Sequence, residues 1–353
     1  MKKFATLAVL AAISGGAYAQ SSSVTLFGVV DAAARYVKNS DKHMYSLASG
    51  GTNSSRFGFR GVEDLGGGLA AGFWLEAGFN ADTGSSSDSS RFFNRRSTVG
   101  LMGTFGEIRL GRDVTPTYTG YLDYDPFGDS GVAAASKFDA ALGVSRDGAA
   151  VGSTATGLGN RADNQIMYLL PSNLGGVYGR AAVAAGEGTA GKKYYGGRIG
   201  YAAGPLDVSV AYGQYEVAPV GGEDKFKIGD VGASYDFGMV KLMGYYTQSK
   251  FADQKIQTYS IGAVAPIGLG QVKAAYTHAN MSGKTAAAVN IDANDADQYA
   301  LGYLYNLSKR TAIYGTVAYV KNKGNATFAV ATSPTVVAGQ KSSGAEIGLR
   351  HAF

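Results

Sequence analysis

The sequence contains no cysteine, so a disulfide, a zinc-thiolate site and a cysteine nucleophile are all excluded. It also lacks, after the N-terminus, an uninterrupted apolar run of the about 18 residues that a membrane-spanning helix needs. Its three histidines, His43, His278 and His351, lie far apart in the chain, with no carboxylate at ligand spacing. We therefore expect neither a metal site nor a cofactor.

A strong charge of one sign is lacking as well, since 32 Lys and Arg stand against 27 Asp and Glu. The basic residues form no run that could follow a phosphate backbone, so no nucleic-acid partner is expected. Only seven prolines and one tryptophan accompany 52 glycines and 23 tyrosines. This composition favours many strands and turns, with more tyrosine than an ordinary soluble core contains.

The N-terminus has the features of an export signal. Lys2 and Lys3 precede an apolar stretch that stops at Ser14, and Ala17-Tyr18-Ala19 fits a signal-peptidase site. The stretch is too short for a membrane anchor. We predict a signal peptide over residues 1–19 and a mature chain over residues 20–353.

From Ser21 onward, apolar residues alternate with small or polar ones in segments of about ten residues. Near the C-terminus, Tyr299, Leu301 and Tyr303 share one face of a predicted strand, while Gln298 and Ala300 share the other. This period of two predicts an all-β protein.

The connections between these segments alternate between short and long, which is typical of an outer-membrane barrel and not of a soluble one. Counting segments gives about sixteen strands, with both termini at the short-turn end. The first strand, Val24 to Val37, is predicted to pair with the last, Lys341 to Phe353, so that no backbone edge faces lipid. The long connections are residues 80–91, 113–160, 282–295 and 323–340.

Tyrosines cluster near segment ends, as in Tyr194-Tyr195 and Tyr245-Tyr246. They fit aromatic girdles at the two headgroup levels. Ordinary strand propensity is the alternative explanation for any single tyrosine.

Several segments together resemble the general porin family of Gram-negative bacteria, in its neisserial and β-proteobacterial branch. The middle of the chain, residues 196–298, matches this family only in its strand pattern. The segments are VTLFGVVDAAARY from Val24, SSRFGFRGVEDLGGGLAAGFWLEAGF from Ser54, FNRRSTVGLMGTFGEIRLGRD from Phe93, LGYLYNLSKRTAIYGTVAYVKN from Leu301, and the terminal GLRHAF.

The resemblance implies a homotrimer of 16-stranded antiparallel transmembrane barrels, each with a long third extracellular loop folded into the lumen. Here that loop is residues 113–160. It carries an acidic Pro-Phe-Gly segment in which acid and proline are exchanged relative to the family. The terminal Phe353 resembles the aromatic residue that the outer-membrane assembly machinery recognises. The implied constriction consists of Asp123, Asp125 and Asp129 on the loop, facing Arg56, Arg95 and Arg161 on the wall.

Periodicity supports part of this constriction independently. Arg56 and Arg60 alternate with Phe57 and Phe59, and an arginine facing lipid at the midplane would cost about 2–4 kcal/mol, so the arginines should face the lumen. Alternation allows only one of Arg95 and Arg96 to point inward, and it does not choose between them. The arginines could also serve only to pin the loop through its carboxylates.

These patterns predict passive diffusion of ions and small hydrophilic solutes through the outer membrane, with a weak preference for anions. Outer-membrane lipids and lipopolysaccharide are the expected surroundings. A barrel enzyme is disfavoured: Gly128-Asp129-Ser130-Gly131 resembles a protease nucleophile segment, but no histidine occupies the matching context. An adhesin remains an alternative that a conductance measurement would separate from a channel.

Overall fold

The computed structural model describes residues 23–138, 142, 160–188, 193–220, 223–285 and 287–353. The predicted signal peptide, residues 1–19, lies outside these ranges and stays a prediction. Within the described ranges, no helix is long and apolar enough to cross a membrane.

The described residues form seventeen antiparallel β-strands in a single sheet. In chain order the strands are β1 Ser23–Asn39, β2 Lys42–Ser49, β3 Arg56–Gly66, β4 Leu69–Gly78, β5 Arg96–Gly103, β6 Gly106–Val114, β7 Arg161–Leu169, β8 Val177–Ala184, β9 Tyr194–Ala203, β10 Leu206–Val220, β11 Glu223–Asp236, β12 Lys241–Phe251, β13 Gln254–Ile267, β14 Gly270–Gly283, β15 Ala296–Asn306, β16 Thr311–Asn322 and β17 Lys341–Ala352.

The sheet closes on itself because β1 pairs with β17, in a register that runs from Val29 opposite Ala352 to Asn39 opposite Ser342. Beyond the last strand, Gly28 and Phe353 exchange two backbone hydrogen bonds of 3.0 Å. The predicted pairing of the first and last strands is confirmed. Among the described strands, closure leaves no row of backbone groups unpaired toward lipid.

Two of the seventeen strands are halves of one barrel strand. Strand β2 pairs with the second half of β1 and β3 with its first half, while residues 50–55 between them leave the ladder. The barrel therefore has sixteen strands around its circumference, as the sequence predicts. The interruption itself is not visible in the alternating pattern.

The buried carboxylate of Asp31 on β1 holds this interruption in place. It accepts hydrogen bonds from the backbone amides of Gly51, Thr52 and Asn53 at 3.2, 3.0 and 2.8 Å, and one from the hydroxyl of Tyr314. These donors offset the cost of burying the carboxylate. The inserted residues are thereby fixed on the lumen side of the wall.

The alternation predicted for the strands is confirmed on β15. The side chains of Tyr299, Leu301 and Tyr303 are 53%, 54% and 38% exposed, whereas Gln298 and Ala300 on the other face are 1% and 8% exposed. Large apolar and aromatic side chains cover the outer face of most other strands in the same way. The outer surface thus suits a hydrocarbon environment.

The longest connection joins β6 to β7 and begins with a short helix, α1, Pro116–Leu122. The Thr115 hydroxyl caps the helix by accepting a hydrogen bond from the Tyr118 amide at 3.4 Å, and Pro116 fits the first helical position. A 3₁₀ turn, Ala135–Phe138, follows. The rest of the connection up to residue 160 lies outside the described residues, apart from residue 142.

The segment of residues 116–132 packs against the face of the sheet that is opposite the exposed apolar side chains. Its contacts include glycines of alternate strands, where the missing Cβ lets the loop approach the backbone. The contacts are Tyr124 with Gly232 of β11, Pro126 with Gly262 of β13, Phe127 with Gly302 of β15, and Val132 with Gly344 of β17.

The closeness of this packing leads to a first prediction. A Cβ at Gly232 would overlap the ring of Tyr124, so Gly232→Ala should displace the loop at an overpacking cost of about 1–3 kcal/mol. The matched control is Gly229→Ala on the outer face of the same strand, where the nearest atom would be 3.7 Å away. Circular dichroism melting in detergent and single-channel conductance should change for Gly232→Ala alone. Equal values for both variants would contradict the packing described here.

Candidate functional site

Three of the predicted constriction residues, Arg56, Arg95 and Arg161, lie side by side on the inner wall. Arg56 begins β3, Arg95 directly precedes β5, and Arg161 begins β7. The Arg161 Nε donates to the backbone carbonyl of Arg95 at 2.7 Å, and the charges of Arg56 and Arg95 act on each other. The structure thus brings the three arginines together.

Glu76, on the lumen face of β4, balances part of this positive charge. Its Oε1 lies 2.6 Å from the Nε of Arg95 and 3.4 Å from the Nε of Arg56, while Trp74 Nε1 donates to its other oxygen at 3.0 Å. Arg56 and Arg95 therefore pair with a carboxylate of the rigid wall. The sequence left open that these arginines pin the loop by pairing with its carboxylates. In the described contacts, the two arginines form their ion pairs with Glu76 of the wall instead.

On the loop side, Asp129 faces the arginines. Its carboxylate accepts hydrogen bonds from the hydroxyl of Tyr118 and, at 3.2 Å, from Ser130 Oγ. Burial, together with the charge of Asp129, raises the pKa of Tyr118, so this hydroxyl keeps its proton and remains a donor. Arg95 and Asp129 line one polar cavity, and the Arg161 guanidinium lies 6.0 Å from the centre of the Tyr118 ring.

The other two predicted carboxylates do not join this cluster. Asp123 pairs with Arg198 of β9, with 2.5 Å between Oδ2 and Nη1. Asp125 accepts the backbone amide of Phe127 at 2.8 Å and has Lys137 and Lys273 as its neighbouring cations. The three loop carboxylates therefore have different partners, and of the three only Asp129 faces the three arginines.

The surroundings of Asp125 and Lys137 change how these loop residues ionise. Burial raises the pKa of Asp125 to about 6, an effect that the nearby lysines oppose. Burial lowers the pKa of Lys137 to about 7, although Asp125 favours its charged form. Both groups therefore change charge near neutral pH.

The expectation that only one of Arg95 and Arg96 points inward is wrong. Arg96, the first residue of β5, follows the alternation: its Nε lies 3.5 Å from Asp113 and its guanidinium 4.5 Å from the Trp74 ring. Arg95 lies before the strand begins, where alternation no longer applies, and its side chain turns inward to Glu76. The wall therefore carries more positive charge than the pattern indicated.

Sequence reasoning missed the residues that tie the loop to the wall. Glu346 of β17 accepts from Arg35 at 2.9 Å and from the backbone amide of Val132 at 3.3 Å. Gln298 of β15 donates to the carbonyl of Ala133 at 2.8 Å. Both side chains lie on lumen faces that alternation predicts, so their orientation could have been found from sequence, but their loop partners could not.

Arg112, near the end of β6, links other connections to the wall. Its guanidinium donates to the Asn94 carbonyl at 2.7 Å and lies 2.5 Å from Asp163. Within the described ranges, no group of three or more histidine or acidic residues could hold a metal ion.

The model of the family described as "Gram-negative porin" matches residues 6–325 of this chain. The chain belongs to the Gram-negative porins. It is 43% identical to outer membrane porin protein 32 of Delftia acidovorans, over 100% of this chain and 99% of the relative. It is 30% identical to an outer membrane porin protein of Bordetella pertussis, over the full length of both chains.

Among solved structures, the anion-selective porin from Comamonas acidovorans superimposes with a TM-score of 0.83 at 40% identity, covering 94% of this chain and 100% of that one. OmpT of Vibrio cholerae in its trimer form superimposes with a TM-score of 0.66 at 16% identity, over 94% and 99%, a likeness that concerns the fold. This porin is an outer-membrane protein and forms a passive channel.

The role of Glu76 leads to a second prediction. Glu76→Gln removes the carboxylate that Arg56 and Arg95 share, so the wall gains net positive charge and anion permeability should rise. The matched control is Glu216→Gln at the outer end of β10, which leaves the lumen unchanged. Reversal potentials in a potassium chloride gradient measure the change. A shift toward cations, or an equal shift in the control, would contradict the assignment.

Proposed function

We propose that the porin admits ions and small hydrophilic solutes through a constriction between the loop of residues 113–160 and the inner wall. The wall contributes Arg56, Arg95 and Arg161. The observation that carries the proposal is that these arginines converge opposite Asp129 while the loop seats its aromatic residues on the wall strands β11 to β15. Asp123 and Asp125 lie elsewhere on the loop, where Asp123 pairs with Arg198 of β9 and Asp125 interacts with the charge of Lys273.

In this mechanism solutes move down their gradient without turnover or energy coupling. Opposed charges on the two sides of a narrow, water-filled passage orient dipolar solutes. Apolar solutes are disfavoured because they must displace water that both charged sides hold. The porin has no catalytic role in this proposal: Ser130 of the protease-like segment contacts Asp129 and Ser54, and the three histidines occupy outward-facing strand positions.

The proposed selectivity is a weak preference for anions. The cluster sets the three guanidinium groups of Arg56, Arg95 and Arg161 against the two carboxylates of Glu76 and Asp129. The arginines stand at strand ends on a closed sheet, and fixed charges define the local potential of a narrow passage. The name of the similar Comamonas acidovorans structure, an anion-selective porin, supports the same sign.

A third prediction tests that sign. Under a tenfold potassium chloride gradient below about 0.1 M salt, where screening is weak, the wild type should give a reversal potential that favours anions. Replacing Arg56, Arg95 and Arg161 by glutamine should abolish or invert it. Arg310→Gln in an exposed turn is the matched control and should leave the preference in place. Cation preference in the wild type would refute the proposed sign.

A fourth prediction follows from the loop charges. As pH falls from 8 to 5, Lys137 gains its proton near pH 7 and Asp125 loses its negative charge near pH 6, so the loop becomes more positive. Anion preference should therefore increase across this range, and Asp125→Asn should show a smaller increase. The measurement is the reversal potential at each pH. A shift toward cations on acidification would contradict this assignment.

We further propose a homotrimer embedded in outer-membrane lipid and lipopolysaccharide, with Phe353 as the signal read by the outer-membrane assembly machinery. The broad apolar outer face supports contact with lipid and neighbouring barrels. Phe353 completes the closure of the sheet beside Gly28, a position that only a finished barrel fills. The Vibrio cholerae structure in trimer form is a relative in fold.

The fifth prediction concerns this assembly. Unheated protein in mild detergent should migrate as a trimer, and boiling should convert it to a monomer, because the closed sheets resist the detergent. Light scattering gives the mass independently. A monomeric mass before heating would reject the homotrimer while leaving the channel proposal intact.

A further inference from the structure

Three lysines form a row across adjacent strands on the outer surface of the barrel. Lys227 of β11 lies directly opposite Lys250 of β12, which in turn lies directly opposite Lys255 of β13. Lys227 and Lys250 are exposed, and Lys255 is half-exposed. They share the outward parity of the exposed side chains of the same strands, Val231, Leu242 and Ile261.

This arrangement is unfavourable for the isolated barrel. Residues directly opposite in an antiparallel pair have Cβ atoms about 4.5–5.5 Å apart, and like charges at such positions are destabilising. The side chains of these three lysines form no ion pair and no hydrogen bond with any residue that the structure describes. Asp292, in the loop after β14, acts on Lys255 only through its charge. The row therefore presents three adjacent positive charges that no ion pair neutralises.

A second lysine pair on the outer surface differs in this respect. Lys321 of β16 lies opposite Lys341 of β17, but Asp297 of β15 lies opposite Lys321 on its other side. Asp297 also approaches Lys323 and His278 at 3.4 and 2.8 Å. The lysine row on β11 to β13 has no such carboxylate in register.

The position of the row along the strands indicates what faces it. Toward the short-turn end of the barrel, the next outward-facing pair is Gln248 of β12 opposite Gln257 of β13. The pair after it is Tyr246 opposite Tyr259, with 4.9 Å between the ring centres. Apolar residues follow toward the short-turn end. Tyrosines mark the interface of the hydrocarbon. The lysines lie two side-chain positions beyond it, about 13 Å along the strand, at the level of lipid headgroups on the long-loop, outer side.

Strands β4 to β8 differ from this row in the type and placement of their basic residues. Strands β4 to β8 contain no lysine, and four of their five arginines, Arg96, Arg109, Arg161 and Arg180, lie on the lumen face. On the outer rim of β11 to β13, the basic residues are all lysines. Lysine is a compact point charge on a flexible stem, suited to phosphate groups that move within a membrane surface.

We propose that Lys227, Lys250 and Lys255 form a binding site for the phosphate groups of the phosphorylated glycolipid in the outer leaflet. Two negative phosphates would neutralise the row, while the acyl chains lie along the apolar and tyrosine-lined strand faces beneath it. The inference rests on the proposed lipopolysaccharide contact and on the barrel's orientation, and it is independent of the constriction.

The test uses the refolded full-length porin in detergent, titrated with purified bisphosphorylated lipid A and followed by native mass spectrometry. The variant replaces Lys227, Lys250 and Lys255 by glutamine. The control makes the same change at Lys42, Lys284 and Lys309, which are exposed in turns and loops or beside them, so net charge changes equally. The three-lysine variant should bind lipid A at least about tenfold more weakly, given roughly fivefold per lysine near a charged surface. The control should match the wild type.

Further arms identify the ligand and guard against misfolding. Replacing the three lysines by arginine should retain binding, and if the glutamine variant does not refold, Lys250→Gln alone should weaken binding several-fold. Dephosphorylated lipid A should bind weakly to every form.

Equal affinity of the wild type and the glutamine variant would overturn the proposal, as would equal binding of dephosphorylated lipid A. Inorganic phosphate binding as tightly as lipid A would assign the row to a free anion instead. Single-channel conductance should stay unchanged throughout, so loss of the channel would be recognised separately.

Discussion

The structure depends on one constraint: in hydrocarbon, every backbone amide and carbonyl must find its partner within the protein. A closed antiparallel sheet meets it, and here closure is achieved when β1 pairs with β17 and the Phe353 backbone bonds to Gly28. Closure then fixes the direction of nearly every strand side chain. Each strand has one face for lipid and one for the lumen, so a single residue of register shift would exchange them.

The two sides of this closed wall present different residues to the lumen. On one side the strands carry glycine where the loop approaches, so the aromatic residues of the loop pack directly on the sheet. On the other side the strands carry arginines whose charges are only partly balanced by Glu76 and Asp129. The aromatic residues of the loop thus pack on one side of the wall, and the arginine charges lie on the other side. The proposed constriction is the space between them.

Much of this could be predicted from the sequence, because a period of two determines which side chains share a face. Arg56 follows from its phenylalanine neighbours, and the joining of the first and last strands follows from the even number of segments. Features outside the ladders could not be predicted. Arg95 turns inward because it precedes β5, and residues 50–55 leave the sheet because Asp31 binds their amides. Asp123 and Asp125 separate from Asp129 because Asp123 pairs with Arg198 of β9, and Asp125 lies near Lys273 of β14 and Lys137 of the loop itself.

The proposed constriction requires that the long loop lies against the inner wall opposite the arginines. Because the chain has no cysteine, one engineered pair can test this directly. Val132 of the loop has its Cβ 3.2 Å from the position that a Cβ at Gly344 of β17 would occupy, close to the separation that a disulfide spans. In Val132→Cys with Gly344→Cys, oxidation should form the cross-link, identified by peptide mass spectrometry, and conductance should stay near the value of the reduced protein. If no cross-link forms in the folded porin, the loop does not lie on this wall and the proposed constriction does not exist.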